Sequence, residues 1–385
     1  MKTWPIKKLE EYMNAERIEL TRGNVISQQD MIESPGSYPV YSSSIQNGGM
    51  FGRYGHYMYN EELITWSVDG GGNFFYRPKH KFSVTNVAGI LRLHDDNLIL
   101  KFLYYLLIWE HSHLDFDYIK KAHPSVIKAL YYIAYPSLST QQKIVQILDS
   151  IHETVRVQEK IIEKTKELKK SLLNEIFNAK IKNQKSKWPF KLAKLGEFVK
   201  IERGKFGHRP RNDPDYYGGN IPFIQTGDVS LSNGHIKKYS QTLNQKGLSV
   251  SKIFPKGTIV ITIAANIGYS AILDFNSAFP DSLIGITPDK ELDSEFLNYY
   301  LTSQQKKMDE IAARGTQKNI NIEFLKPWPV PMPSINKQCE IVNILQTIDQ
   351  KIEIEQKKKA LYEELFKTML NNIMGQKIDM EKIKV

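Results

Sequence analysis

The chain has 385 residues, which is too long for one ordinary domain, so its length predicts two or three domains. Its single cysteine, Cys339, excludes an internal disulfide and a cysteine-rich zinc site, a composition typical of a reducing cytoplasm. Lysine and arginine exceed aspartate and glutamate by ten (52 − 42). This excess favours a polyanionic partner such as nucleic acid, and a basic protein without such a partner is the alternative.

The sequence carries no pattern typical of secretion or of membrane insertion. Charged residues and Pro5 interrupt the first eight positions, where a signal peptide needs an apolar stretch. The most apolar run, 257–273, alternates threonine with isoleucine and contains Asn266, which predicts buried strands rather than a membrane helix. We therefore expect a cytoplasmic protein.

The predicted elements recur in two similar halves. β-Branched enrichment predicts strands at 63–68, 257–264 and 270–273, and apolar spacing predicts shorter helices at 98–109 and 294–313. Long amphipathic helices follow in both halves, beginning near 140 and 337 after proline and cap-type residues. This mixture predicts an α+β fold class.

An internal repeat relates the two halves. Residues 136–160 align with 333–357 without a gap, and nine of the twenty-five pairs are identical. The chain is therefore one unit written twice, a mixed domain followed by a long helix. The predicted boundaries are 1–139 for the first domain, 140–185 for the central helix, 186–336 for the second domain and 337–385 for the C-terminal helix.

The two long helices are expected to pair with each other. A helix of about forty residues extends about 60 Å, which is too long to pack only within a small domain. Because the chain crosses the second mixed domain between the helices, antiparallel pairing as a coiled coil is the natural arrangement. The alternative is two separate helices, each docked on its own domain.

The second half closes with a distinctive string. It reads Gly-Thr-Gln-Lys-Asn-Ile at 315–320, then Leu325, four prolines between 327 and 333, and a helix opening with Lys337-Gln338. Together with the repeat, this order resembles the specificity subunits of Type I restriction-modification systems over essentially the whole chain. The first half departs from the pattern, since Lys-Ala-His-Pro-Ser-Val-Ile stands at 121–127 where the Gly-Thr-Gln string is expected.

The resemblance implies a subunit without a catalytic centre that recognises double-stranded DNA. It implies two target recognition domains, each reading one half of a bipartite site, with the long helices as a spacer. It also implies two modification (methyltransferase) subunits and two ATP-driven restriction subunits as partners that methylate and cleave. S-adenosylmethionine, ATP and magnesium are then expected on those partners.

Candidate DNA contacts follow the predicted strands. The basic segment 200–211 is predicted to be a loop, and it contains two glycines that would let the backbone approach a phosphate. Polar side chains beside glycine elsewhere suit base edges. Ordinary turns and solvated surface cations are the alternatives. The predicted contacts of the first half are Ser42, Ser43, Ser44, Asp69, Asn73, Arg77, Lys79 and Lys121, the last three to phosphates. Those of the second half are Arg203, Lys205, His208, Arg209, Arg211, Gln225, Thr226, Asp228, Asn266, Tyr269, Gln317, Lys318 and Asn319. Of these, Arg203, Lys205, Arg209 and Arg211 are expected to face phosphates.

Catalytic patterns are missing from the sequence. The stretch 212–216 differs from an Asn-Pro-Pro-Tyr methyltransferase string, and neither a GxGxxG fingerprint nor a GxxxxGK[ST] loop occurs. Pro280-Asp281 could open a nuclease motif, but no glutamate between 291 and 311 has a lysine two places on. We expect no catalytic residue, cofactor site or metal site in this chain. The alternative function is a non-catalytic coiled-coil scaffold that binds RNA or protein.

Overall fold

The structure, a computed structural model, describes residues 4–114, 121–178, 190–264, 266–313 and 319–383. The chain divides into two compact units. Unit 1 comprises Met1–Glu159 and Lys357–Val385, and unit 2 comprises Lys160–Gln356. The two long helices therefore each contribute residues to both units.

Unit 1 is built on a six-stranded sheet. Its elements are β1 Ile6–Lys8, α1 Leu9–Asn14, β2 Ile18–Arg22, α2 Gln28–Glu33, β3 Tyr38–Tyr41, β4 Met50–Tyr54, β5 Tyr59–Ser67, β6 Phe74–Val84, β7 Ala88–Leu93, α3 Leu100–Ser112, α4 Pro124–Leu130, β8 Tyr132–Ala134 and the first part of α5 Leu138–Asn178. The strand order is β2-β7-β5-β6-β3-β4, antiparallel except for the parallel β3–β6 pair. Strands β1 and β8 form a separate antiparallel pair.

The central strand β5 is buried on both faces. Ile64 and Trp66 pack into the cluster that contains α3, while Leu63 packs with Phe82 and Ile90 on the other face. Successive side chains of a strand point to opposite faces, so the adjacent apolar residues Leu63 and Ile64 pack on the two faces. The polar side chains of Thr65 and Ser67 in the same strand are buried as well. The strand predicted at 63–68 and the helix predicted at 98–109 are confirmed as parts of β5 and α3.

The described residues of unit 2 form two larger sheets and one two-stranded sheet. Its elements, after the remainder of α5, are β9 Leu192–Lys194, β10 Val199–Arg203, β11 Tyr217–Phe223, α6 Thr226–Ser230, β12 His235–Ile236, β13 Gln241–Leu243, α7 Gln245–Ser249, β14 Ile253–Phe254, β15 Ile259–Thr262, β16 Ser270–Leu273, β17 Ser277–Ala278, β18 Leu283–Pro288, α8 Ser294–Ala313, α9 Ile322–Leu325, β19 Pro329–Pro331 and the first part of α10 Ile335–Met374. The sheets have the orders β10-β18-β15-β16-β12 and β13-β11-β17-β14, and β9 pairs with β19.

The strands predicted at 257–264 and 270–273 and the helix predicted at 294–313 are confirmed. Strands β15 and β16 pair antiparallel, with Val260 opposite Ala271, and every residue of both strands is buried. Helix α8 has the predicted bounds, and its buried face includes Phe296, Leu297 and Leu301. With helices and mostly antiparallel strands in each unit, the α+β fold class is confirmed.

The long helices pair antiparallel inside each unit. In unit 1, Lys359 forms an ion pair with Glu159 at 3.0 Å, and the rings of His152 and Phe366 lie 5.9 Å apart. In unit 2, Lys169 donates to Asp349 at 2.5 Å. In both units, residues later in α5 lie beside residues earlier in α10, so the predicted antiparallel coiled coil is confirmed.

The C-terminal end of α10 differs from the sequence-based boundary. The helix ends at Met374 rather than continuing to 385. Gln376 has a positive φ of 54° and accepts a hydrogen bond at 2.9 Å from the backbone N–H of Trp4. Met380 is buried in the core of unit 1, so the segment after α10 folds back because its apolar side chains pack there. Each helix in the described part of the chain is too short or too polar to span a lipid bilayer.

Candidate nucleic-acid interface

In unit 1, two of the predicted contact segments lie side by side. Ser42–Ser44 follow β3, and the turn at 69–73 follows β5. A Cβ on Gly70 would lie 2.5 Å from the carbonyl oxygen of Ser43, so only glycine permits this approach. The loop after β3 closes on itself, because the backbone N–H of Ser42 donates to the carbonyl of Gly49 at 2.9 Å.

Most of these polar side chains have partners within unit 1. Thr85 donates to the Ser42 hydroxyl at 2.9 Å, and the Ser43 hydroxyl donates to the carbonyl of Val87. Asn73 donates to the carbonyl of Gly70 at 3.0 Å. Ser44 is exposed, and its hydroxyl accepts the N–H of Gln46 at 3.2 Å. Ser44 is therefore the most accessible of the three serines.

The two lysines of this domain that are predicted to contact phosphates are exposed. Lys121 forms an ion pair with Asp69 at 3.1 Å, and the lysine side chain keeps 60% of its exposure. This pair links the segment after residue 120 to the turn after β5. Lys79 is exposed on β6.

Arg77, predicted as a phosphate contact, is buried rather than exposed in this structure. The residue is only 6% exposed, its Nε donates to Thr65 at 2.9 Å, and its guanidinium carbon lies 3.6 Å from the ring centre of Tyr41. Burial lowers the pKa of Arg77 to about 10. The loop after β3 covers this position, since a Cβ on Gly49 would lie 3.1 Å from Nη2 of Arg77.

In unit 2, the basic segment is part strand and part loop. Residues 200–203 lie in β10, paired with β18, rather than in the predicted loop. Gly204 is required by packing within the chain, because a Cβ there would lie 2.3 Å from the carbonyl oxygen of Pro280. Gly204 thus permits close packing against Pro280 within unit 2, whereas the sequence predicts that it lets the backbone approach a phosphate. Lys205 is exposed just after it.

The loop beyond Gly204 is held by ring stacking and ion pairs. The ring of His208 stacks on Tyr216 with centres 4.0 Å apart, and its Nε2 lies 2.8 Å from Asp213. The hydrogen bond from the backbone N–H of Asp215 lowers the pKa of the Asp213 carboxyl, and the smaller effect of the hydrogen bond with His208 acts in the same direction. Lys246 pairs with Asp215 at 2.9 Å. The loop therefore presents a fixed rather than an extended basic surface.

Three arginines of the basic segment converge on one residue, Asp281. Arg209 pairs with its carboxylate at 3.4 Å, and Arg211 pairs with the other carboxylate oxygen. The Nε of Arg203 donates to the Asp281 backbone carbonyl at 2.6 Å. The structure thus brings Arg203, Arg209 and Arg211 together around Asp281. This acidic residue is not among the contacts predicted from the sequence.

The polar residues after β11 form a second surface. Asp228 accepts the backbone N–H of Gln225 at 2.8 Å and the hydroxyl of Ser240 at 3.1 Å, which caps α6. The Gln225 side chain donates to Gln241 at 3.0 Å. Thr226 is half-buried in the first turn of α6. The Asp228 carboxylate is therefore used within the chain, where it caps α6. Gln225 lies half-buried just before this helix.

The remaining predicted contacts surround the β15–β16 turn. Asn266 and Tyr269 are exposed, and the Thr262 hydroxyl holds the turn by accepting the Tyr269 N–H at 3.0 Å. Asn319 is exposed and forms an isolated bridge with Ala264, which places it beside this turn. Gln317 and Lys318 lie outside the described residues. Asn266, Tyr269 and Asn319 are thus neighbours on one side of unit 2.

Sequence reasoning missed Asp281, Gln241 and Ser240 as parts of this surface. In the sequence, Asp281 resembles only the start of a nuclease motif, and its partners Arg209 and Arg211 lie about seventy residues away. Gln241 and Ser240 are ordinary polar residues in the sequence, and only the β11–β13 pairing brings them to Gln225. Among the residues that the structure describes, no group of three histidine, cysteine, aspartate or glutamate side chains could hold a metal ion.

Comparisons with known proteins agree with this architecture. The family model of the Type I restriction modification DNA specificity domain matches residues 1–167 and 186–364. The chain belongs to this family and carries two copies of its domain, so the resemblance seen in the sequence is confirmed.

Individual relatives give the extent of the similarity. A putative type I specificity subunit of Mycoplasma pneumoniae is 25% identical over 90% of this chain and 94% of its own length. Another from that organism is 36% identical, but the match spans 34% of this chain and 44% of the relative. A putative type I restriction enzyme specificity subunit of Methanocaldococcus jannaschii is 27% identical over 64% of this chain and 59% of its own length. The chain thus spans about half the length of the last two relatives.

A solved structure supports the fold. The match is to the crystal structure of the S subunit of a Type I restriction-modification system from M. genitalium. It covers 96% of this chain and 96% of the S subunit, with a TM-score of 0.62 and 17% sequence identity. At this identity the match shows the fold, including the repeated mixed domains and long helices.

Proposed function

We propose that this chain is the DNA-recognition subunit of a Type I restriction-modification complex, with each mixed domain reading one half of a bipartite double-stranded site. The observation that carries the proposal is the presence of two DNA specificity domains in one chain. Polar and basic loops at strand ends in each unit support it, because such loops can reach phosphates and base edges. The family match disfavours the alternative of a scaffold that binds RNA or protein.

The catalytic steps are proposed to belong to partner subunits in the cytoplasm. Two modification subunits would bind S-adenosylmethionine, and two restriction subunits would use ATP and magnesium. The sequence patterns that such chemistry uses are missing from this chain. The purified chain alone is therefore expected neither to methylate nor to cut DNA when these cofactors are supplied. Activity of the isolated chain would contradict the proposal.

A domain exchange tests the division of labour. Residues 186–332 are replaced by the corresponding segment of a relative, and methylated adenines are mapped across the genome of a host that carries the complex. We expect one half of the methylated motif to change and the other half to stay. The unexchanged chain in the same host is the control. A change in both halves, or in neither, would contradict independent reading by the two domains.

A further inference from the structure

Asp281 occupies a place that phosphate binding alone does not explain. Its carboxylate, 35% exposed, pairs with Arg209 and Arg211 on the proposed DNA surface of unit 2. A phosphate-binding cluster gains from every uncompensated positive charge, so a carboxylate between two arginines weakens the attraction. Recognition of a base depends less on net charge and more on orientation, because a bidentate contact requires the guanidinium plane to be held in one position. The arrangement therefore fits readout better than charge neutralisation.

The two arginines have different roles around this carboxylate. Nη1 of Arg209 donates to the carbonyls of Phe206 and His208, both at 2.7 Å, so this side chain stabilises its own loop. The described side-chain bond of Arg211 goes to Asp281 and uses one of the five N–H donors of a guanidinium. Its side chain is 46% exposed. Arg211 is thus oriented by Asp281 and still presents donors to solvent.

The backbone of the same residue is also fixed. The Tyr217 hydroxyl donates to the carbonyl oxygen of Arg211, and Tyr217 begins strand β11. Asp281 lies just before β18, whose pairing with β10 positions Arg203 against the Asp281 carbonyl. Both ends of the Arg211–Asp281 pair are therefore anchored to strands, as a precise contact requires.

We infer that Arg211 reads a guanine through the major-groove edge of the half-site bound by unit 2, and that Asp281 is the positioning residue that orients it. Guanine is the base that offers two acceptors, O6 and N7, to a bidentate arginine. The inference rests on the proposed function. It replaces the earlier expectation of a phosphate contact at this one arginine.

Competition binding with the assembled complex tests it. The probes are a duplex with the methylated motif, duplexes in which each G·C pair of the unit 2 half-site is replaced by A·T in turn, and a random duplex. The domain exchange identifies that half-site. The variants are Arg211→Lys, Asp281→Asn and, as control, Asp215→Asn, which removes the same charge from the Lys246 pair.

We expect Arg211→Lys to lose about tenfold in preference for guanine at one pair and to retain its affinity for random DNA, because lysine keeps the charge but not the bidentate fork. Asp281→Asn should lose preference at the same pair without weakening random binding. Asp215→Asn should leave every preference unchanged. If Asp281→Asn does not fold, Arg211→Lys decides alone, since Arg211 is half-exposed.

Three outcomes would overturn the inference. They are full discrimination at every pair in Arg211→Lys, an equal loss for all duplexes in the two variants, and a unit 2 half-site without any G·C pair. Failure of the proposed function looks different, because the unaltered complex would then prefer no sequence to random DNA.

Discussion

Gln141 and Gln338 make the same three hydrogen bonds in the two units. Gln141 accepts the N–H of Ile99 at 2.8 Å and donates to the carbonyls of Asn97 at 3.0 Å and Pro136 at 2.9 Å. Gln338 accepts the N–H of Asp293 at 2.8 Å and donates to the carbonyls of Glu291 at 2.9 Å and Pro333 at 3.0 Å. Both side chains are completely buried. Each thus fastens the start of a long helix to the turn before the shorter helix of its domain.

Replacing Gln141 by leucine should lower the free energy of unfolding by roughly 3 kcal/mol. The change leaves a buried N–H and two buried carbonyls without their side-chain partner, and each such group costs about 1–3 kcal/mol, partly offset by relaxation. Urea unfolding followed by circular dichroism measures the loss. Gln142→Leu, at the exposed neighbouring position, is the control and should change stability by less than about 0.5 kcal/mol. Equal losses in both variants would contradict a specific role of Gln141.

Gly89→Ala should destabilise unit 1 by overpacking. Gly89 is paired with Trp66 across strands β5 and β7, and a Cβ there would lie 2.0 Å from Cε2 of the indole. Trp66 has little room to move, because it is fully buried and its Nε1 donates to the carbonyl of Ala122 at 2.7 Å. We expect a loss of at least about 1–3 kcal/mol, measured by thermal unfolding.

Gly227→Ala is the matched control for this substitution. Within the described residues, and apart from its chain neighbours and the backbone of its own helix, no heavy atom lies within 4 Å of a Cβ built at Gly227, on the short helix α6. The variant should therefore be as stable as the original chain or slightly more stable. A Gly89→Ala chain with the stability of the control would show that the indole moves at no cost.

The elements that the sequence predicted well are those whose pattern is local. Helix α8 and strand β16 have the predicted bounds, because apolar periodicity and β-branched residues in these segments match the faces that are buried. The repeat between 136–160 and 333–357 extends to three-dimensional contacts, as the two buried glutamines show. Such features depend on residues close together in the sequence.

The features that the sequence could not predict depend on distant segments. Arg77 lies in a strand that also contains Lys79 and Lys81, so its surroundings resemble a solvated surface. It is buried because the loop after β3 covers it, which no local pattern indicates. Asp281 likewise meets Arg211 only because β10 pairs with β18. Recognition residues of this kind are brought together by the tertiary fold.

Stability of unit 2 should fall as pH rises above neutrality, because of His235. Its Nε2 lies 3.0 Å from Glu295 and its Nδ1 lies 2.8 Å from Asp274. The hydrogen bond with Glu295, then that with Asp274, raises the pKa of His235 from 6.5 to about 9 against the effect of burial. A raised pKa stabilises the protonated folded state, so this contribution is complete below about 6.5 and is lost as pH rises through about 9.

The measurement is the urea midpoint of the full chain between pH 6 and 10, compared with His235→Gln. The variant keeps hydrogen-bonding groups but cannot titrate, so the difference in stability between the two chains should shrink as pH rises. A constant difference across this range would show that His235 does not carry the pH dependence.

Arg77→Met should separate stability from recognition in unit 1. The guanidinium is buried, and its Nη2 has no hydrogen-bond partner among the residues that the structure describes. A buried charge without a compensating acid is costly, and an apolar side chain of similar length is often tolerated as well or better. Stacking on Tyr41 and the bond to Thr65 offset part of that cost. We therefore expect the free energy of unfolding to fall by less than about 1 kcal/mol or to rise.

If the cation is retained for DNA, the same variant should bind the half-site of unit 1 more weakly while the half-site of unit 2 is recognised as before. Binding of the assembled complex to duplexes mutated in one half-site at a time measures this. Lys81→Met, four positions further along β6, exposed and outside the predicted contacts, removes the same charge from the surface and is the control. A large loss of stability in Arg77→Met with unchanged binding would show that the arginine is structural. Weaker binding with preserved stability would place the buried guanidinium in the DNA complex, where the loop after β3 must move to expose it.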